Sequence, residues 1–198
     1  MGEKQAAFIA IAKAEGAQKH AELLFLFHVA PILKQIKPAA LVSIKTEDWE
    51  VWEGLRLSTK LCAIKIRRRG NHLLLMIFDK AALLQTLDDA LTRDILQKCG
   101  YLKSKGLGTT LRRLKERMKT DDFPHEIGLF LGYPPADVEA FIQNLGRNYT
   151  CCRYWKVYTD VARAEKIWHQ IDEAQRHAFK LINRLLSVHE TVKILQTI

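Results

Sequence analysis

The stretch FPHEIGLFLGYPPADVEAFIQNLGRNYTCCRYWKVYTD, from Phe123 to Asp160, constrains the fold more than any other. Glycine and proline punctuate it, so no helix runs through it whole. Pro124 stands near the first helical position, where proline is favoured. Asp121 or Asp122 is the candidate N-cap before it. A helix is therefore expected over about 124–131, with Gly132 as its C′ residue. Pro134 and Pro135 restart the chain into a second helix, about 135–145, which Gly146 ends. RNYTCCRYWKVY follows, rich in β-branched and aromatic residues, and reads as a strand. Alternation places Cys151, Arg153, Trp155 and Val157 on one face, and Cys152, Tyr154, Lys156 and Tyr158 on the other.

The rest of the chain supplies a small sheet and more helices. Residues 3–14 read as a helix ending near Gly16. Residues 18–35 form a stronger one, with Leu23, Leu24, Phe27, Val29 and Ile32 on a broad apolar face. Pro31 should kink or end it. Pro38 opens AALVSIK, a short apolar run suited to a buried strand. Thr46 is placed as the N-cap of a helix over TEDWEVWEGLRLSTK. CAIKIRR alternates, with Cys62, Ile64 and Ile66 on one face and Lys65 and Arg67 on the other. Arg69-Gly70-Asn71 turns the chain back into HLLLMIF. That run is apolar on both faces, as a central strand is. Asp79 caps a helix through Leu87, and another covers about 89–98, ended by Cys99-Gly100. YLKSKGLGTT reads as a loop, 109–119 as a basic helix, and Asp160 to about Leu195 as a long closing helix. The expected class is α+β, one domain over 1–198, with a three- or four-stranded sheet that includes the 62–78 hairpin.

Composition narrows the function. The chain has 198 residues, 48% of them hydrophobic, enough to bury a core without disulfides. No apolar run approaches the ~20 residues that span a bilayer. The N-terminus lacks a signal-peptide pattern, and Ala6 occupies the position where myristoylation wants Ser or Thr. A cytoplasmic protein is expected, with no membrane partner. Cys62, Cys99, Cys151 and Cys152 show no C-x-x-C spacing and read as reduced thiols, with no metal site. The net charge of +9 favours an acidic partner: a nucleic acid, an acidic protein or a phosphorylated ligand. The densest basic runs are IRRRGNH, holding Arg67, Arg68 and Arg69, and LRRLKERMK, holding Arg112 and Arg113.

The 123–160 stretch admits several chemistries. A helix-turn-helix would place Gly128 at its small-residue slot, Gly132 at its turn, and Val138 and Phe141 in the core. Its second helix would then expose Pro135, Ala136, Glu139, Ala140 and Gln143. Glu139 and Asp137 would repel a DNA backbone, so readout of bases is poorly served. His125 and Glu126 are adjacent and do not face each other on a helix. Leu129 stands where the H-E-x-x-H zinc pattern needs a second histidine. Glu126 in a first helical turn would interact with the helix dipole. The glycines make no phosphate loop. Interleaved aromatics and cations at Tyr149, Tyr154, Trp155, Tyr158, Arg147, Arg153 and Lys156 either line a pocket or pack on the core.

The whole segment resembles the signature of a family of uncharacterised proteins found mainly in anaerobic bacteria. Its pattern runs close to FPHEIG-FLGYP, DV, FI, N-G-NY and YWKVY-D. HVAPILKQIKPAAL, residues 28–41, is similar to the same family's HCAPTL element, and the helix after Asp160 to its closing helix. Val29 replaces a cysteine frequent in that family. Glu173-Ala174 stand around the position of another. A thiol-based site is therefore not carried over. The resemblance implies a link to iron or redox metabolism, because genes of such proteins lie near flavodoxin and ferrous-iron transport genes. An acidic flavodoxin would complement a basic surface.

The expected function is a binding or accessory protein that docks an acidic partner or holds a small cofactor of unknown identity. Its candidate site residues are His28, His125, Glu126, Tyr133, Asn144, Asn148, Tyr149, Trp155 and Lys156. The alternatives are a nucleic-acid-binding protein, and an enzyme using His125 and Glu126 as acid and base.

Overall fold

The HLLLMIF run has no polar face, and such a strand needs cover on both sides. The computed structural model provides it; the model describes residues 16–101, 106–119, 123–182 and 187–197. Strands β1 (Ala39–Lys45), β2 (Cys62–Arg69) and β3 (His72–Phe78) pair antiparallel in the order β1-β3-β2. Phe78 pairs with Ala39 on one side and with Cys62 on the other. A bulge between Lys65 and Arg67 shifts the β2 register near the hairpin tip. The tip turns at Gly70, whose φ is +56°.

The helices are α1 (Ala17–Leu33), α2 (Trp49–Leu57), α3 (Lys80–Asp88), α4 (Ala90–Lys98), α5 (Gly106–Arg117), α6 (Ile127–Phe130), α7 (Pro135–Gln143), α8 (Val161–Ile182) and α9 (Val188–Thr197). One sheet face, with Ala40, Val42, Ile44, Leu73, Leu75 and Ile77, packs on α1, α2, α8 and α9. The other, with Ala39, Met76 and Phe78, packs on α3 to α7. The period-2 alternation of β3 thus feeds two cores at once.

Pro31 does not end α1. Proline has no N–H, so it deprives the Phe27 carbonyl of its helical donor. Gln175 on α8 supplies one instead, its Nε2 donating to Phe27 O at 3.3 Å. The cost of the proline is met from another helix, which a local reading could not show.

Several expectations are corrected. Thr46 caps nothing: a 3₁₀ turn over Thr46–Asp48 precedes α2, and the Thr46 hydroxyl is buried without a partner. α2 ends at Leu57, where Ser58 and Thr59 hydroxyls donate to the carbonyls of Leu55 and Arg56. The long closing helix is divided into α8 and α9, with Asp160 accepting from Arg163 N–H at the head of α8. The strand read in RNYTCCRYWKVY is a tight two-stranded ribbon, β4 (Cys151–Cys152) and β5 (Lys156–Val157), separate from the main sheet. Its aromatics turn the chain at Arg153–Trp155 rather than extending it. Asp79 does cap α3, accepting from Ala82 N–H. The helix expected over 3–14 and the caps expected at Asp121 or Asp122 lie outside the described residues.

Candidate functional site

Pro134 and Pro135 fix the start of α7 and put Asp137 in its first turn. A carboxylate there is favoured by the helix dipole. This one is 2% exposed and points into the protein. Its Oδ2 accepts from the Trp155 indole N–H at 2.9 Å. Its Oδ1 accepts from Tyr158 N–H at 2.9 Å, Thr159 N–H at 3.2 Å and the Thr159 hydroxyl at 3.1 Å. A buried charge is tolerable when its lone pairs are met in this way. Asp137 therefore ties the ribbon and the head of α8 to α7.

That tie sets up a column of rings. Tyr133 stacks on Trp155 with centroids 5.1 Å apart, and Trp155 meets Trp168 of α8 edge-on at 5.4 Å. A second group of rings lines the same space: His125 lies 4.8 Å from Phe141, and Phe123 lies 6.3 Å from His125. Two glycines permit the close packing underneath. A Cβ on Gly128 would sit 2.9 Å from Val138 Cγ2, and one on Gly132 would sit 2.4 Å from Pro38 Cδ. Gly132 also has φ +80°, the left-handed conformation of a helix C′ residue.

Among these rings lies a cavity of about 240 Å³. Phe123, His125, Ile127, Gly128, Tyr133 and Val138 form part of its lining, and Phe141, Cys152, Trp155 and Lys156 reach it as well. Cys152 pairs with Lys156 across the ribbon, so both side chains share a face. The Lys156 ammonium donates to Gly146 O at 2.7 Å and lies 4.6 Å from the Tyr149 ring centre and 5.6 Å from that of Phe141. Cation–π contact of this kind holds an amine at an apolar rim. Burial pushes the Tyr133 hydroxyl above its ordinary pKa, so it stays protonated. The same direction holds for Tyr158, through desolvation and then the Asp137 charge.

Of the residues expected to form a site, His125, Tyr133, Trp155 and Lys156 are brought together here, with Tyr149 at the rim. Asn144 closes α7, its Nδ2 donating to Ala140 O at 2.8 Å. Asn148 is exposed in the loop beyond, with φ +59°.

Two expected members are elsewhere. Glu126 is turned into the core, where the Tyr101 hydroxyl donates to it at 3.0 Å and Arg117 donates through Nε and Nη2. Its carboxylate raises the pKa of Arg117 by hydrogen bonding, and burial followed by Glu126 raises that of Tyr101. An acid–base pair of His125 and Glu126 is thus contradicted by geometry. Only His125 reaches the cavity. His28 sits on α1 with its ring 6.2 Å from Trp52, on the far side of the sheet. Burial, and then the Lys37 charge, lower its pKa to about 4. Burial lowers that of Lys37 to about 8.

As a helix-turn-helix the 123–146 stretch is minimal. α6 is a single four-residue turn, and Glu139, expected to face outward, accepts from Lys98 of α4 at 3.0 Å. The basic runs do converge. Arg67 Nη1 donates to Met118 O at 3.4 Å, which seats the hairpin tip on the end of α5. Arg67 and Arg69 pair with Leu74 and His72 and share the α5 face, and Arg68 pairs with Leu73 and turns the other way. Arg112 and Arg113 are exposed on α5.

Asp137, Phe141, Phe123 and Cys152 were missed as site residues. For Asp137 a signal existed: an acidic residue next to the core position Val138, in the first turn after two prolines. For Phe123 and Phe141 none did, because their partner His125 meets them only through the fold.

Fold and site together define an α+β protein with a small aromatic-walled cavity beside its sheet and no helix, among the described residues, long and apolar enough to cross a membrane. A family model described as "Protein of unknown function (DUF3793)" matches residues 25–192, and the chain belongs to that family. No curated protein and no solved structure matches it.

Proposed function

We propose that this is a ligand-binding accessory protein and that the cavity of the 123–160 segment is its site. The carrying observation is the cavity of about 240 Å³ walled by Phe123, His125, Tyr133, Phe141 and Trp155. Ligand sites are mostly apolar with a few placed polar groups. This one is below the ~300–1,000 Å³ of drug-sized sites and above the ~150 Å³ that takes benzene. It suits one or two rings and is smaller than a whole haem or dinucleotide. The place of such a protein in iron or redox metabolism rests on the family resemblance. Indole is the probe. It should bind saturably by ligand-observed NMR, and Cys152→Trp should abolish binding, because bulk at that exposed position closes the mouth without touching the core. Absence of indole binding to the native protein would sink the reading.

A second reading is favoured by the Arg67–Met118 contact, which joins two basic runs into one face. We propose that this face, with Arg67, Arg69, Arg112 and Arg113, docks an acidic protein such as a flavodoxin. Arg69→Glu with Arg112→Glu should weaken that binding at low salt and matter little at high salt. Retention of nucleic acid by the same face, with a steep salt dependence, would replace the protein partner.

A further inference from the structure

We infer that the cavity selects an aromatic carboxylate, and that Lys156 is its specificity residue. This rests on the cavity being a ligand site. Its polar groups are few and their states differ. Asp137 is the only carboxylate in the described lining, and four donors already meet its two oxygens. Oδ1 takes three of these bonds and Oδ2 one, so the carboxylate is committed chiefly to the protein's own donors. Lys156 is the only ammonium there, and one of its three donors is used, on Gly146 O at 2.7 Å. No described carboxylate lies within ion-pair distance of it.

The surroundings hold that amine in place. Tyr149 and Phe141 flank it with their ring faces. Gly146, with φ +72°, brings its carbonyl to it across a loop in which Leu145 and Asn148 are also left-handed, at +50° and +59°. An ammonium fixed at the mouth of an apolar, ring-lined cavity matches a ligand with an aromatic body and an anionic end. The body would enter between His125–Phe141 and Tyr133–Trp155. The carboxylate would stay at the mouth, taking the two remaining Lys156 donors. Charge-assisted bonds of this kind are stronger than neutral ones. A neutral ring compound of the same size would keep the apolar contact and forgo the ion pair.

The test compares 2-naphthoate with 2-naphthamide on the full chain by calorimetry. Naphthoate should bind at least about tenfold more tightly at low salt, a margin typical of one charge-assisted bond. Lys156→Met should bring naphthoate down to the level of the amide, and Lys156→Arg should restore the preference. Unchanged melting temperatures would confirm that both variants are folded. Equal affinity of the native protein for acid and amide would overturn the inference and leave the cavity as a ligand site. Failure of both compounds to bind would overturn the two together.

Discussion

Replacing Asp137 by asparagine alters a single atom of the site and should be costly. The carboxylate is 2% exposed and accepts four hydrogen bonds. In the variant, the remaining oxygen can stay on the Oδ1 side, facing the Tyr158 and Thr159 donors. Those bonds lose their charge assistance, at about 0.5 kcal/mol each. The new amide N–H₂ then faces the Trp155 indole N–H, donor against donor. A buried donor left unmet costs about 1–3 kcal/mol. The total is about 3 kcal/mol, a large share of a typical stability of about 5–15 kcal/mol. For a chain of this size that is a fall of roughly 6–12 °C in melting temperature. Urea unfolding followed by circular dichroism reads it directly. A double-mutant cycle isolates the cause. Trp155→Phe removes the clashing donor, so Asp137→Asn should cost about 1–2 kcal/mol less in that background. A single-mutant loss under 0.5 kcal/mol, or no coupling to Trp155, would refute the reasoning.

Gly132→Ala should destabilise by at least about 2 kcal/mol, since φ +80° is unfavourable with a Cβ and that Cβ would lie 2.4 Å from Pro38 Cδ. Gly70→Ala, at φ +56° with nothing within 4 Å, should cost only about 1 kcal/mol, and thermal unfolding of the pair tests the difference. Stability should also depend on pH through His28 and Lys37. With His28 lowered from 6.5 to about 4, the unfolded chain binds the extra proton, so stability falls as pH drops from 6.5 to 4. With Lys37 lowered from 10.5 to about 8, stability rises as pH climbs from 8 to 10.5. At about 1.4 kcal/mol per unit each window is worth up to ~3 kcal/mol, and less because both side chains keep some contact with water. His28→Leu should flatten the acid slope in a pH series of urea midpoints. Gln175→Leu should cost about 1–3 kcal/mol by leaving the Phe27 carbonyl unmet, and Pro31→Ala in the same chain should recover part of it.

What the sequence disclosed was local or periodic. The central position of β3 follows from a run with no polar face, and the α3 cap follows from Asp79 before an apolar-periodic segment. Gly132 and the two prolines after it mark the break between α6 and α7 for the same kind of reason. The misreadings came where distant residues decide. RNYTCCRYWKVY has the composition of a strand, but Asp137 grips its far end at Trp155, Tyr158 and Thr159, and the chain folds back on itself. Pro31 should kink or end a helix, and a glutamine on α8 helps to sustain it. Glu126 looked like a helix-dipole carboxylate beside His125. Arg117 and Tyr101 draw it to the opposite side. The cavity itself was half legible: its aromatic and basic residues stood close together in sequence, but the walls from Phe123 and Phe141 depend on how α6 meets α7.

The most direct measurement is the ¹⁵N–¹H spectrum of the tryptophan indoles during a titration with 2-naphthoate. The chain has four tryptophans, two at the cavity side and two, Trp49 and Trp52, with the helices on the far side of the sheet. The account predicts a saturable shift of the Trp155 signal, with those of Trp49 and Trp52 unmoved. Equal drift of all four, or no shift of Trp155 at saturating ligand, would contradict it.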